Sequence, residues 1–192
     1  MVQEGNGMSR QLLRVCQRLA TAGYAAVAPD LFWRTGGSGA VSGAEHRAAL
    51  RDDEVLDDLA FAVAELRRGG AERVGLIGFC MGGRIAYQMA CDGGLDIGCA
   101  VSFYGSGIND RLGDPVVPLL GFFGGHDEYI PREEIDKIVG THPDEFVVYE
   151  GAEHGFFRDG SDSYHAIAAA DAWVRLSAFF DEHLSPALPR SH

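Results

Sequence analysis

Residues 73–83 read RVGLIGFCMGG. Val74, Leu76, Ile77 and Phe79 form an apolar run of strand length, and residues 84–90 (RIAYQMA) can continue as a helix, so residues 78–82 (GFCMG) fall on a strand-to-helix corner. A nucleophile elbow, Gly-x-nucleophile-x-Gly, belongs at such a corner. Small residues on both sides permit a tight, strained turn that lifts the central side chain above the sheet. Here that side chain is the thiol of Cys80. It sits at a helix N-terminus, where converging backbone N–H groups favour the thiolate relative to a free cysteine of pKa about 8.5. A bare G-x-C-x-G also fits a buried structural cysteine in a glycine-rich turn, and the rest of the chain decides between the two.

The chain has 192 residues, 46% apolar and 23% charged, which suits one domain (1–192) with a real core rather than a disordered or membrane-embedded chain. No apolar run approaches the roughly 18 residues of a spanning helix, and MVQEGNGMSR at the start has neither the basic segment nor the apolar stretch of a signal peptide. A cytoplasmic location is therefore expected. The net charge of −12 argues against nucleic acid or anionic membrane as a partner. A small anionic substrate is still compatible if a few arginines line the pocket. Cys16, Cys80, Cys91 and Cys99 show no paired or C-x-x-C spacing, so neither a metal site nor a disulfide is expected.

Along the chain, residues 1–3 read as the end of a strand, followed by a loop, Glu4-Gly5-Asn6-Gly7. Ser9 can cap a helix whose Leu12, Val15, Cys16 and Leu19 recur at helical spacing and which ends at Gly23. Residues 24–28 (YAAVA) read as a buried strand, and residues 31–43 as a surface loop flanking the pocket. One long helix is expected over 45–68, with Leu56, Leu59, Val63 and Leu66 as its stripe and Gly69-Gly70 as its stop. Further strands are expected over 97–104, 117–123 and 145–150, with a helix starting at Pro131 between the last two. The final helix carries Ala170, Trp173, Leu176 and Phe180 on one face, and the tail from Ser185 is expected to fray. Strands alternating with helices give a mostly parallel sheet with helices on both faces, whose ligand site lies beyond the carboxyl ends of the strands. Glu4, Asp30, Cys80, Tyr104, Asp127 and His154 all follow expected strands, so their side chains can converge.

A thiol nucleophile needs a base, and the base an acid to orient it. Of seven histidines, His46 and His165 lie in or near helices, His142 in a polar turn, His183 at a helix end and His192 in the tail; solvated surface is their expected setting. His126 and His154 follow strands. His154 lies in residues 151–157 (GAEHGFF), where glycines allow the imidazole close to the nucleophile, and Asp127 in residues 124–127 (GGHD) can accept from its other ring nitrogen. The order nucleophile, acid, histidine is that of α/β-hydrolases, with His126 a neighbour rather than the base.

With these stretches in place, the chain resembles the dienelactone hydrolase (carboxymethylenebutenolidase) family of the α/β-hydrolase superfamily. The matching stretches are Gln3-Glu4, residues 23–32 (GYAAVAPDLF), 74–83 (VGLIGFCMGG), 124–127 and 151–158 (GAEHGFFR). The resemblance implies Cys80 as nucleophile, His154 as base and Asp127 as its orienter. It also implies that Glu4 lies beside Cys80 and helps switch thiol to thiolate when substrate enters, and that the Arg158 guanidinium binds a substrate carboxylate. The oxyanion hole is expected from the backbone N–H groups of Met81 and Gly5. Two departures stand out. The chain opens inside the strand before Glu4, so the sheet is expected without the strands that family members carry upstream. The segment after Arg34 is short, and Arg47 and Arg51 stand as candidates for the further arginine and tyrosine that the family directs at the carboxylate.

The expected function is a cysteine-dependent hydrolase that opens a small anionic ester or lactone, a dienelactone by resemblance, through a thioester and without a cofactor. A broad small-ester carboxylesterase is the first alternative. The second is an inactive or redox-sensing relative that binds a small acid or a protein partner. The sequence leaves the oligomeric state open.

Overall fold

Four short apolar runs form the sheet in a computed structural model that describes residues 1–184. β1 (Gly75–Phe79), β2 (Cys99–Phe103), β3 (Leu119–Gly124) and β4 (Phe146–Tyr149) lie side by side in chain order and all run parallel. Parallel neighbours need crossovers, and these carry the chain over both faces. Side-chain alternation then splits the core in two. Leu76, Ala100 and Phe123 pack with α3 (Asp52–Arg68), α4 (Met81–Asp92) and α5 (Arg132–Thr141). Ile77, Val101 and Phe122 pack with α1 (Arg10–Thr21) and α6 (Ala166–Leu184) on the other side.

The helix ends follow local chemistry. Ser9 accepts from the Leu12 N–H at 3.2 Å to start α1, whose Leu12, Val15 and Leu19 are buried. The single helix expected over 45–68 is two helices, α2 (Gly43–Ala49) and α3, because the segment holds two start signals. Ser42 and Glu45 form a reciprocal capping box for α2, while Asp52, Asp53 and Glu54 place three carboxylates on the first turn of α3. Leu50 and Arg51 between them are extended, both with ψ 137°.

Residues 24–28, expected as a buried strand, belong to no ladder. A cleft of about 700 Å³, walled by Tyr24, Val27, Gly75, Ile77 and Phe180, separates them from β1. The Met1 amino group reaches Val27 O at 2.6 Å, and its burial pushes its pKa down to about 6 against the opposing effect of Cys16. The strand expected before Glu4 amounts to Val2, which bridges Gly78 in parallel: Val2 N–H donates to Ile77 O at 2.7 Å and Phe79 N–H to Val2 O at 3.3 Å. A segment that pairs into no ladder is not a strand, however apolar.

Two histidines expected at the surface are buried. His46 stacks on Phe32 with ring centroids 4.3 Å apart, and His142 pairs with the Tyr87 hydroxyl at 2.8 Å. Their helical and turn positions gave no sign of the aromatic neighbours that fold over them. The tail from Ser185, with His192, lies outside the described residues.

The difference between ladder and open cleft is measurable. By native-state hydrogen exchange, the Ala25 and Val27 amides are expected to exchange at least about a hundredfold faster than those of Val101 and Phe103. Equal protection would mean that residues 24–28 are paired after all.

Candidate active site

The corner between β1 and α4 has the geometry its glycines permit. Cys80 takes φ 52° and ψ −115°, in the left-handed region that an L side chain occupies at a cost of about 1–3 kcal/mol. Its N–H donates to Phe103 O at 3.0 Å and its carbonyl accepts from Arg84 N–H at 3.1 Å. A Cβ at Gly78 would strike the Gly82 carbonyl, one at Gly82 the Val2 carbonyl, and one at Gly83 the Phe103 carbonyl. The three glycines therefore let α4 seat its first turn directly on neighbouring backbone.

Asp127 and His154 arrive from the ends of β3 and β4. His154 Nδ1 lies 2.8 Å from Asp127 Oδ2, with the two side chains 6% and 0% exposed, so water does not compete for the contact. The other Asp127 oxygen accepts from the Tyr129 and Ile130 N–H groups at 2.8 and 3.0 Å, which fixes the carboxylate plane. Tyr104 and Tyr129 stand against the imidazole, with centroids 5.0 and 4.9 Å from it. His126 is exposed and lies outside this arrangement.

Glu4 enters through the turn after Val2, closed by Gly7 N–H to Glu4 O at 2.9 Å. Its Oε1 accepts from Arg158 Nη2 at 2.9 Å and from the Tyr104 hydroxyl at 3.4 Å. Glu4, Gly5, Arg47, Cys80, His154 and Arg158 share the wall of one cavity of about 450 Å³. Arg47 Nη1 donates to Gly5 O at 2.8 Å, whereas Arg51 pairs with Asp53 at the surface and stays away. Asp30 also stays away. It binds Ser38, whose hydroxyl accepts from Met8 N–H at 2.8 Å, so the 31–43 loop braces the Glu4 turn from behind instead of lining the cavity. Among the described residues no group of three or more His, Cys, Asp or Glu is arranged to hold a metal ion, and no helix is long and apolar enough to cross a membrane.

Comparison with known proteins gives the family and the fold. The family model of the dienelactone hydrolase family matches residues 1–184. A Yersinia pestis protein provisionally named carboxymethylenebutenolidase is 32% identical over 98% of this chain and 79% of its own length. A crystal structure from Klebsiella pneumoniae, provisionally named dienelactone hydrolase, superposes with a TM-score of 0.82 at 31% identity, covering 94% of this chain and 85% of that one. Thermogutta terrifontis esterase 2, at TM-score 0.66 and 21% identity over 96% of this chain and 82% of its own, shares the fold. The chain belongs to the dienelactone hydrolase family. It is accordingly a carboxylic ester hydrolase with the α/β-hydrolase fold.

In this family member the electrostatics of the cavity centre on Cys80 and His154. Burial alone would raise the Cys80 thiol. The hydrogen bond and charge of His154, with help from the Met81 amide, outweigh burial and the opposing Glu4 charge, leaving the thiol below its ordinary pKa. Burial alone would lower His154, but the bonds to Asp127 and Cys80 raise it to about 9. Both shifts move the proton from sulfur toward imidazole. Arg158 is raised in spite of its burial, chiefly by Glu4, and burial beside Glu4 puts the Tyr104 hydroxyl well above the usual phenol range. Among the described residues the Gly5 amide donates to no backbone carbonyl, and Met81 opens α4, where N–H groups have no intrahelical partner. Of the two candidate arginines, Arg47 lies at the cavity and Arg51 does not, and Tyr129 is a cavity residue that sequence reasoning did not single out.

Asp127→Asn removes the charge that keeps His154 protonated. Alkylation of Cys80 by iodoacetamide, followed against pH, is expected to shift its midpoint upward by about one pH unit or more. A parent thiol that already titrates like a free cysteine would contradict this electrostatic account.

Proposed function

We propose that Cys80, His154 and Asp127 act as nucleophile, base and orienter in opening a small ester or lactone, with a carboxylate-bearing dienelactone as the preferred substrate. One observation carries the reading. A strained elbow presents a thiol of lowered pKa to a histidine held by an aspartate whose side chain is fully buried, and the three arise beyond the carboxyl ends of β1, β4 and β3 of one parallel sheet.

Cys80 thiolate attacks the ester carbonyl, and the Met81 and Gly5 amides receive the oxyanion. The C–O bond breaks, His154 gives its proton to the leaving oxygen, and the acyl group remains as a thioester on sulfur. Neutral His154 then takes a proton from water, whose oxygen attacks the thioester. The C–S bond breaks and leaves the product carboxylic acid and the thiolate. Asp127 keeps the imidazole in the required tautomer throughout.

Arg158 is occupied by Glu4 in the free protein. A substrate carboxylate competes for that guanidinium, which offers a planar, bidentate donor set. With Arg158 turned to substrate, the Glu4 carboxylate is released beside Cys80 and can accept the proton of any Cys80 still held as thiol. The same pairing favours a second, broader reading as a small-ester hydrolase, because a neutral ester has no need to displace Glu4.

Hydrolysis of 4-carboxymethylenebut-2-en-4-olide, followed by loss of its ultraviolet absorbance, tests the reading. Cys80→Ala is expected to reduce turnover by about 10³-fold or more, and His154→Gln to leave an acyl adduct on Cys80 visible by mass spectrometry. Parental turnover by Cys80→Ala would overturn the nucleophile. Arg158→Gln is expected to raise KM for the dienelactone by about tenfold while leaving p-nitrophenyl butyrate nearly unchanged. Equal effects on both substrates would favour the broader esterase.

A further inference from the structure

The first turns of α4 do more than carry Cys80. Met81, Ile85 and Met89 on one face of the helix meet Leu50 and Val55 across a small cavity of about 120 Å³. Met81 and Arg47 form walls of both this cavity and the one that holds Cys80, so the two are neighbours across a shared side. The walls of the smaller cavity are mixed: Leu50, Val55, Met81, Ile85 and Met89 give an apolar side, and Arg47, Arg84 and Arg111 face it together with Asp52, Asp92 and Gln88. Asp92 is engaged with Arg111 at 3.0 Å, and Asp52 is exposed at the start of α3. Arg47 bonds the Gly5 carbonyl, which leaves its positive charge unneutralised.

Arg84 differs from the others. It is half-buried, and among the described residues its guanidinium has no hydrogen bond and no carboxylate within ion-pair distance. Its stem lies over Gly107, where φ is +83° and where an added Cβ would come within 3.2 Å of Arg84 Cδ. The Arg84 guanidinium is thus a cation on the cavity wall that binds no carboxylate of the described residues, in a chain with 28 acidic residues.

We propose that this cavity is a second anion subsite, in which Arg84 holds the terminal carboxylate of a substrate whose short aliphatic chain runs from the reacting carbonyl past Met81. The substrate class is the half-ester of a dicarboxylic acid. Leu50, Val55, Ile85 and Met89 cover the methylenes and Arg84 supplies a charge-assisted bond to the end group. The subsite rests on the hydrolase reading for its catalytic consequence, but binding of the free diacid does not depend on that reading.

The test pairs two esters of equal chain length, p-nitrophenyl hydrogen suberate and p-nitrophenyl octanoate, with calorimetric titration of suberate. In Arg84→Gln, kcat/KM for the hydrogen suberate is expected to fall about tenfold through KM, the octanoate staying within about twofold, and Arg84→Lys to recover most of the loss. Suberate itself is expected to bind about tenfold more weakly to Arg84→Gln than to the parent. Loss of both esters in parallel, or of neither, overturns the subsite, as does equal suberate affinity in parent and variant. If the parent cleaves neither ester, the hydrolase reading fails by itself, and the suberate titration alone still decides the subsite.

Discussion

The backbone turn at Cys80 is the constraint on which the rest of the molecule depends. A residue at φ 52° is held there by its surroundings, since the local cost of about 1–3 kcal/mol favours relaxation. The surroundings are backbone. Phe103 O accepts from Cys80 N–H, while Gly82 and Gly83 press against the carbonyls of Val2 and Phe103. The elbow, the end of β2 and the Val2 bridge are therefore one packed unit. That unit explains why Glu4 and Gly5 reach the thiol: they follow Val2 by two and three residues, and Val2 is bound to Ile77 and Phe79 on the strand that ends at the elbow. A methyl group at position 82 would part the helix from Val2 and move Cys80 and Glu4 together.

The second theme is charge placement in an acidic chain. Against a net charge of −12, the cavity gathers Arg158, Arg47 and a histidine whose pKa is raised to about 9. Each has a fixed partner: Glu4, the Gly5 carbonyl and Asp127. Breaking a partly buried pair by removing one member leaves the other uncompensated, so a ligand that disturbs the pairing must supply its own charge. A carboxylate does so at Arg158, and the Tyr104 hydroxyl remains to share Glu4 when the arginine turns to substrate. On the proposed reading, selectivity for a carboxylate would follow from this exchange of partners at Arg158.

Which features were legible in the sequence follows from how local their causes are. The elbow, Asp127 and His154 are each fixed by glycines and by the end of an apolar run, and residues 78–82, 124–127 and 151–155 carry that information within a few positions. The four ladder strands were legible for the same reason. Residues 24–28 have the composition of a strand, but strand identity depends on a neighbour far away in the chain, and β1 lies across a cleft from them. The break at Leu50 and Arg51 was overlooked because the apolar stripe of α3 masks a second set of helix-start residues. His46 and His142 pack against Phe32 and Tyr87, contacts that periodicity does not encode.

Support along β1 is uneven, and the unevenness bears on function. On one side β2 pairs with it from Gly75↔Cys99 to Phe79↔Phe103. On the other, Val2 meets it at Gly78, one residue before the catalytic end, while Gly75 and Ile77 face the cleft. Local opening costs least where ladder bonds and buried contacts are fewest, so fluctuations concentrate at the Gly75 end, among residues 24–28 and the last turn of α6. The Cys80 end is held from both sides, by Phe103 and by Val2. The strand thus places its rigidity at Cys80, where, on the proposed reading, a displacement of about 1 Å would be most damaging. The open cleft lies at the opposite end of the same strand, where movement leaves the geometry of Cys80, His154 and Asp127 undisturbed.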